Sequence, residues 1–316
     1  MSHFIGRLGE KKRQRIKSVL DAMIFGAVSL LGVLARVMSQ RLARLAACLI
    51  GDFVHYVMGL RRELVYRNIG ISFPEKSPAE IRSIAMRVYR NMAVTLIEVL
   101  RFPLVRSRED AAKLVDMDVD VGEFMRRTEN GQKGAVIVSG HFGNWELMAL
   151  AFGILAKPVT IIVKRLSNDL VDRRMNELRT LRGNSVIYDN LALRRGLRLL
   201  ADGGVLAILA DQSDPSATYF GEFLGRRVTI FSGAAFFALK AQVPLFVCMC
   251  RFAGDGKYKT EMQEINTSAL TFCKEDIAIL ASRYTSVLEE YIKRWPEEWF
   301  WLHNRWKNGG DGQTGG

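Results

Sequence analysis

A chain of 316 residues is long enough to bury a sizeable hydrophobic core in one large or two smaller domains. Its hydrophobic content of 49% and charged content of 25% are ordinary for a globular protein and exclude global disorder. The net charge of +12 indicates an anionic partner, either nucleic acid, an anionic membrane, or an acidic protein or lipid.

The first 60 residues are predicted to form membrane-associating helices. A basic leader over residues 7–17 precedes the apolar run Ala22–Ala35, and a second apolar stretch extends from Leu45 to Leu60. A membrane-spanning helix needs roughly 20 apolar residues. We therefore expect these two runs to lie in the membrane interface, with their basic residues against anionic headgroups. The alternative is a buried helical hairpin with a solvated basic leader.

Helices and strands alternate through residues 61–308, which predicts one α/β domain. Ser77 and Pro78 begin a helix that continues to about Leu100, and residues 104–129 fit a helix, a short strand and a second helix. The predicted strands are apolar runs at Ala135–Val138, Val159–Val163, Val186–Tyr188, Val205–Ala210, Val243–Arg251 and Tyr258–Ile265. The later helices are predicted at Trp145–Leu155, Lys164–Arg174, Leu193–Ala201 and Glu275–Trp295. This order predicts a mostly parallel central sheet flanked by helices, followed by a disordered Gly-rich tail over residues 309–316.

The segment Ala135–Glu146 carries the clearest chemical signal. Its strand ends at Ser139, and ligands bind at the carboxyl ends of strands in open α/β sheets. His141 lies in the predicted turn and Glu146 in the first turn of the next helix. The carboxylate is therefore expected to reach back to the imidazole and leave the other ring nitrogen as a general base. The alternative is a chance histidine in a turn and a glutamate favoured by the helix dipole.

The central motif Val138–Glu146, with the sequence VSGHFGNWE, resembles the His-x4-Asp/Glu motif of the bacterial lipid A late acyltransferases. Three further blocks are similar to segments of the same family. They are Arg61–Ile69 followed by Ser72–Glu75, the strand and turn Gly204–Gln212, and the tryptophan-rich block Trp295–Trp306. The blocks occur in the family's order and cover roughly residues 40–308, so their combination is specific.

The resemblance implies a glycerol-phosphate-acyltransferase-like fold and the transfer of a fatty acyl chain. The donor would be acyl carrier protein or acyl-CoA, and the acceptor a hydroxyl of a lipid A precursor at the cytoplasmic face of the bacterial inner membrane. His141 would be the general base, Glu146 would assist it, and backbone amides near Gly143 or a basic group would stabilise the oxyanion. No cofactor is implied. The alternatives are another glycolipid or lysophospholipid as acceptor, or a catalytically inactive membrane-binding homologue.

Further binding residues are predicted around the same edge of the sheet. Lys164 and Arg165 follow a strand end and are expected to bind a lipid phosphate or the phosphopantetheine of the donor. Asp211 and Gln212 also follow a strand end and are expected to orient the acceptor or to hold a basic residue. Gly143 and Asn144 complete the set of substrate-binding candidates. A solvated helix start, turns and caps are the alternatives at these positions.

Two aromatic segments have two possible roles each. Tyr219–Ile230 is expected to line the acyl channel, although such aromatic residues more often belong to a core. Trp295–Trp306 fits an interfacial belt or packing against the sheet, and His303 is predicted to be structural.

Other chemistries lack their signatures. The sequence has no G-x-S-x-G nucleophile elbow and no P-loop, and it has no G-x-G-x-x-G motif between a predicted strand and a predicted helix. It also lacks zinc-finger and RNP motifs, so the positive charge is better explained by lipids and an acidic carrier than by nucleic acid. Its four histidines have no metal-ligand spacing, and no metal site is predicted. Its four cysteines show no disulfide framework, which indicates a reducing compartment.

Overall fold

The computed structural model describes residues 2–129, 134–213 and 219–307, with side chains from residue 12 onward except that of residue 129. The strands are β1 (Val115–Asp118), β2 (Ala135–Ser139), β3 (Val159–Val163), β4 (Ser185–Tyr188), β5 (Val205–Leu209), β6 (Phe220–Phe223), β7 (Arg226–Thr229), β8 (Leu245–Gly254) and β9 (Lys257–Ile265). Seven of them form one sheet in the order β1-β9-β8-β2-β5-β3-β4, and β6 and β7 form a separate hairpin. All neighbouring strands in the large sheet are parallel except β8 and β9. The predicted α/β class with a mostly parallel sheet is therefore confirmed.

Eleven α-helices are found in the described part of the chain. They are α1 (Ser2–Val37), α2 (Gln40–Phe53), α3 (Arg62–Ser72), α4 (Pro78–Leu100), α5 (Arg108–Leu114), α6 (Val121–Glu129), α7 (Trp145–Leu155), α8 (Asp169–Thr180), α9 (Ala192–Ala201), α10 (Gly233–Ala241) and α11 (Lys274–Arg294). The predicted start of α4 is confirmed, because Ser77 and Glu80 form a reciprocal capping box. The helix predicted to begin at Lys164 begins later. The side chain of Asn168 caps the N-terminus of α8, and residues 164–167 before it are irregular.

The sheet separates two hydrophobic cores. Val136 and Val138 of β2 face the core formed with α10 and α11, whereas Ala135 and Ile137 face the core under α6 and α7. All five residues of β2 are buried, as expected for a central parallel strand covered on both faces. This arrangement fixes the carboxyl end of β2 in the middle of the protein.

The N-terminal helices differ from the predicted pair of short interfacial runs. In α1, Lys12–Val37 is long and apolar enough to cross a membrane by length and composition, and it is compatible with membrane association. The predicted run was too short because the apolar surface of α1 extends beyond Ala22–Ala35, to Ile16 and Val37. The alternative of a buried hairpin is contradicted for α1, since most side chains in Lys12–Val37 are exposed. The predicted tail at 309–316 lies outside the described residues.

Candidate active site

The turn after β2 has a conformation that its sequence requires. Gly143 adopts a φ of +55°, and a Cβ atom at this position would lie only 1.7 Å from the carbonyl oxygen of Cys250. Only glycine avoids that collision. The C-terminal segment pins the turn, because Gly143 N donates to the carbonyl of Glu298 (2.8 Å) and Phe300 N donates to that of His141 (2.9 Å).

Two parallel strands bring His141 and Asp211 together. Ser139 of β2 pairs with Leu209 of β5. His141 lies two positions after Ser139, and Asp211 lies two positions after Leu209. The Nδ1 atom of His141 lies 2.9 Å from Oδ1 of Asp211, and the backbone N of His141 donates to Oδ2 at 2.9 Å. Trp299 adds a third hydrogen bond, from its indole Nε1 to Oδ2 at 2.8 Å. The imidazole is thus held by its Nδ1 edge, and Nε2 is left for chemistry.

The carboxylate of Asp211 stays ionised although it is only 2% exposed. Burial by itself would raise its pKa. The charge of His141 and the hydrogen bonds from His141 and Trp299 outweigh burial, and together they lower the pKa of Asp211 to about 2. Because an ionised carboxylate only accepts hydrogen bonds, Nδ1 of His141 must carry the proton.

Glu146 has a different partner from the one predicted. Among the described residues no hydrogen bond joins it to His141. Its carboxylate instead pairs side-on with Arg179 of α8, with Nε at 2.9 Å and Nη2 at 2.5 Å. Burial opposes the charge of Arg179, but Glu146 raises the pKa of the guanidinium above its ordinary value. Position 146 is in the first turn of α7 and faces α8, so its carboxylate stabilises a cation at the wall of the site.

A cavity of about 770 Å³ opens beside His141. Its apolar lining includes Ile137, Met148, Phe152, Ile161 and Ala207, and its polar lining includes His141, Glu146, Lys164, Arg179 and Gln212. Trp145 packs edge-on against the imidazole at a ring-centroid distance of 5.1 Å. The cavity therefore joins one polar end, which carries the histidine, to an apolar interior large enough for a hydrocarbon chain.

The predicted binding residues fall into two groups. Lys164 and Gln212 line the cavity, and Nε2 of Gln212 lies 3.4–3.5 Å from both ring nitrogens of His141. Arg165 does not line it and pairs with Asp169 at the surface (3.1 Å). Asn144 is fully buried, and both ends of its amide are used within the protein.

Two other predictions about this region are limited by the contacts observed. The N–H of Gly143 itself is not free for an oxyanion, because it is bonded to the carbonyl of Glu298. The segment Tyr219–Ile230 contributes no lining residue to the cavity, although the adjacent Phe231 does. Phe223 and Val228 of this segment belong to the core, which was the alternative interpretation.

The tryptophan-rich C-terminal segment packs inside the protein. Trp299, Trp301 and Trp306 are buried, which excludes an interfacial belt for these three. His303 accepts a hydrogen bond from the backbone N of Ser213 (3.2 Å), and burial lowers the pKa of His303 to about 4. Asn68 of α3 donates to the carbonyls of residues 301 and 303, so two of the sequence blocks meet.

Three residues at the site were missed by the sequence analysis in these roles. Asp211 was predicted to orient the acceptor or to hold a basic residue, and His141 was not named as that residue. Arg179 and Trp299 were not predicted to contact the site at all. The equal distance of His141 and Asp211 from their strand ends was a usable signal, but only once β2 and β5 are known to be neighbours.

Comparison with known proteins agrees with this architecture. A sequence model of the family described as bacterial lipid A biosynthesis acyltransferase matches residues 10–308. The chain belongs to this family. It is 25% identical over 270 residues to the lipid A biosynthesis lauroyltransferase of Escherichia coli, and this match covers 84% of this chain and 85% of that protein.

Two further relatives are acyltransferases by name. The lipid A biosynthesis palmitoleoyltransferase of Escherichia coli is 22% identical over 261 residues, or 82% of each protein. The phosphatidylinositol mannoside acyltransferase of Mycolicibacterium smegmatis is 24% identical over 192 residues, or 60% of this chain and 61% of that protein. The resemblance to this family and the prediction of an O-acyltransferase are thus confirmed.

Proposed function

We propose that the protein transfers a fatty acyl chain from a thioester donor to a hydroxyl of a lipid A precursor. The observation that carries the proposal is the part of the cavity around His141, where Asp211 fixes one edge of the imidazole and, among the described residues, the amide of Gln212 is the hydrogen-bonding group beside the other edge. An apolar cavity beside a general base suits a hydrocarbon chain whose reactive carbonyl stops at the imidazole. Membership of the lipid A family supports the choice of acceptor.

The reaction follows from the orientation of His141. Nε2 removes the proton from the acceptor hydroxyl as its oxygen attacks the thioester carbonyl. Asp211 stabilises the imidazolium that forms. The tetrahedral intermediate collapses, its carbon–sulfur bond breaks, and the imidazolium returns its proton to the departing thiolate. The products are an ester and a free thiol, and no covalent acyl-enzyme or cofactor is needed.

The oxyanion requires a donor other than Gly143. Gln212 lies beside both ring nitrogens of His141 and lines the cavity. Its side-chain amide is our proposed donor, because an amide N–H placed near the forming oxyanion strengthens its interaction as negative charge develops. Glu146 acts in this scheme by holding Arg179, not by contacting the base.

Two cations at the cavity fit anionic substrates. Lys164 and Arg179 both line it, and their charges are suited to phosphate groups of a lipid A precursor or of a phosphopantetheine. Helix α9 begins beside Asn190 and Ala192 of the lining and exposes Leu193, Arg194 and Arg195. This basic and apolar surface suits an acidic acyl carrier protein.

Two geometric features support an in-plane location at the cytoplasmic face of the inner membrane. One face of α1 packs along the domain from Asp21 to Ala35, about 21 Å at 1.5 Å per residue. Asn168 donates to the carbonyl of Asp21 (3.0 Å), and Arg101 donates to that of Met38 (2.8 Å). A membrane-crossing α1 would draw these polar groups into hydrocarbon, which is costly.

The outer surface is suited to an anionic bilayer instead. The opposite face of α1 exposes apolar side chains such as Met23 and Leu30, and α2 exposes Leu45 and Leu49. Helices of this kind bury their apolar face at the headgroup boundary. The thioester donor would then reach the site from the cytosol.

The proposed function is tested by supplying purified protein with the same acyl chain on acyl carrier protein and on CoA. The acceptors are a lipid A precursor, a lysophospholipid and a phosphatidylinositol mannoside, and products are identified by mass spectrometry. We expect one new ester on the lipid A precursor, faster transfer from the carrier protein, and loss of about 10²–10⁴-fold in turnover for His141→Ala.

The other outcomes identify the alternatives. If a different acceptor alone were acylated, that lipid would take the place of the lipid A precursor in the proposed function. The comparison is necessary because the chain is similarly identical to a lipid A acyltransferase and to a phosphatidylinositol mannoside acyltransferase. No thioester consumption with any acceptor would indicate an inactive homologue. A folded and fully active His141→Ala protein would contradict the mechanism.

A further inference from the structure

A buried ion pair connects α2 to α4, away from the cavity. Arg44 of α2 contacts Oε1 of Glu98 through Nη1, and the same nitrogen lies 3.1 Å from the hydroxyl of Tyr258 on β9. The guanidinium also stacks over the ring of Phe252 at 4.2 Å. The side chains of Arg44 and Glu98 are only 19% and 10% exposed. Neither residue lines the cavity.

The second oxygen of Glu98 reaches the catalytic turn. Nδ2 of Asn144 donates to Oε2 of Glu98 at 2.5 Å. The other end of the same amide caps α7, because Oδ1 of Asn144 accepts from the backbone N of Leu147 at 3.0 Å. Thr95, one turn before Glu98, donates to the carbonyl of Gly143 at 3.3 Å. Helix α4 thus holds two of the three residues that separate His141 from α7.

A role in fixing the position of the turn explains this arrangement better than a role in stabilising the fold. A buried ion pair is weak evidence for stabilisation, since well-packed apolar residues often serve as well in its place. The turn between β2 and α7 is irregular, so fixed partners rather than a regular hydrogen-bond ladder determine its position. Displacement of a reacting group by about 1 Å can lower a rate about 10²-fold.

We propose that Glu98 and Arg44 are positioning residues, which act through Asn144 to fix the turn that carries His141. The proposal rests on the proposed acyl transfer. It also connects the catalytic turn to α2, the helix whose opposite side exposes Leu45 and Leu49. The position of α2 and the position of the general base are therefore set by one shared group of side chains.

The test compares acyl-transfer kinetics of Glu98→Ala, Glu98→Gln and Asn144→Ser with those of the unmodified chain. Glu98→Gln keeps an oxygen for Asn144, and Asn144→Ser keeps a cap for α7 but cannot reach Glu98. We expect kcat to fall about 10²-fold for Glu98→Ala and Asn144→Ser and about 10-fold for Glu98→Gln, with KM changed less than about 2-fold. The double variant Glu98→Ala/Asn144→Ser should be no worse than either single variant.

A matched control separates positioning from folding. Arg90 and Asp52 also join α4 to α2, with bonds of 2.6 and 2.7 Å, but they do not contact the turn. Arg44→Met and Arg90→Met should both lower the urea midpoint, and only Arg44→Met should lower kcat. Equal kcat losses in the two variants, or unchanged kcat in Glu98→Ala, would overturn the inference. His141→Ala in the same assay reports on the proposed function separately.

Discussion

The carboxylate of Asp211 accepts three hydrogen bonds that all fix the position of His141. Two come from His141 itself, from its ring and its backbone, and the third comes from Trp299. One carboxylate therefore sets the tautomer, the ring plane and the backbone of the proposed general base. The negative charge also lies where it would stabilise the imidazolium of the proposed reaction.

Asp211→Asn is predicted to remove most turnover while the protein stays folded. The amide can place a donor against Nδ1 and so favour the wrong tautomer, and it removes the charge that stabilises the imidazolium. For the comparable serine-protease aspartate the loss is about 10⁴-fold, and we expect roughly 10³–10⁴-fold in kcat. Trp299→Phe is the control, since it removes one hydrogen bond but leaves the carboxylate, and should cost less than about 10-fold.

The pH dependence of this loss has a defined form. Because the pKa of Asp211 is lowered from 3.8 to about 2, its ionised form contributes fully above about pH 4 and is lost only as the pH falls through about 2. The ratio of unmodified to Asp211→Asn turnover should therefore stay constant along the alkaline plateau of the two pH profiles, where the general base is unprotonated in both proteins. A ratio that changes sharply along this plateau would contradict an ionised Asp211, and turnover within about 3-fold of the unmodified chain would contradict its role.

At the scale of elements, the ion pair of Glu146 and Arg179 joins α7 to α8 across one wall of the cavity. The side chains are 9% and 18% exposed, so each charge depends on the other for compensation. Such a pair holds the first turn of α7 in place relative to β3 and its following helix. It also keeps the guanidinium of Arg179 at the cavity wall.

Arg179→Met is predicted to destabilise the protein by about 3–5 kcal/mol, because it leaves the carboxylate of Glu146 buried without a partner. Urea unfolding followed by circular dichroism gives the free energy of unfolding. The double variant Arg179→Met/Glu146→Gln removes the uncompensated charge and should recover more than half of the loss. If the double variant were as unstable as the sum of the two single variants, the two charges would not be coupled.

The sequence predicted elements better than side-chain partners. Ala135–Val138 and Trp145–Leu155 were recognisable because apolar periodicity and turn residues are local signals, and the structure has both elements at nearly these bounds. The partner of His141 was not a local property. It depends on β5 lying next to β2, although about 65 residues separate them along the chain. Glu146 is only five positions from His141, yet α7 directs its side chain to α8.

At the scale of the whole molecule, α1 and α2 place an apolar surface on the same body that carries the cavity. The stripe of α1 residues that contacts the domain includes Phe25, Val28, Gly32 and Ala35, and its opposite side is exposed. In the proposed in-plane arrangement, lipids next to α1 would lie close to the cavity. Asn168 contacts Asp21 of α1, and it lies only four residues after Lys164, which lines the cavity. An in-plane α1 keeps the basic leader and the catalytic domain on one side of the membrane.

Labelling of single introduced cysteines is predicted to place residue 13 of α1 and residue 198 of α9 on the same side of the membrane. Arg13→Cys lies before the apolar part of α1, and Arg198→Cys lies on the exposed surface of α9. When either variant is expressed in bacterial cells and its membranes are collected as inside-out inner-membrane vesicles, a membrane-impermeant maleimide added outside should label both fully without detergent. A membrane-crossing α1 would place residue 13 in the lumen, so that it reacts only after detergent while residue 198 reacts at once. Equal labelling before and after detergent therefore distinguishes an in-plane helix from a spanning one, and the unmodified chain measures the background from its four native cysteines.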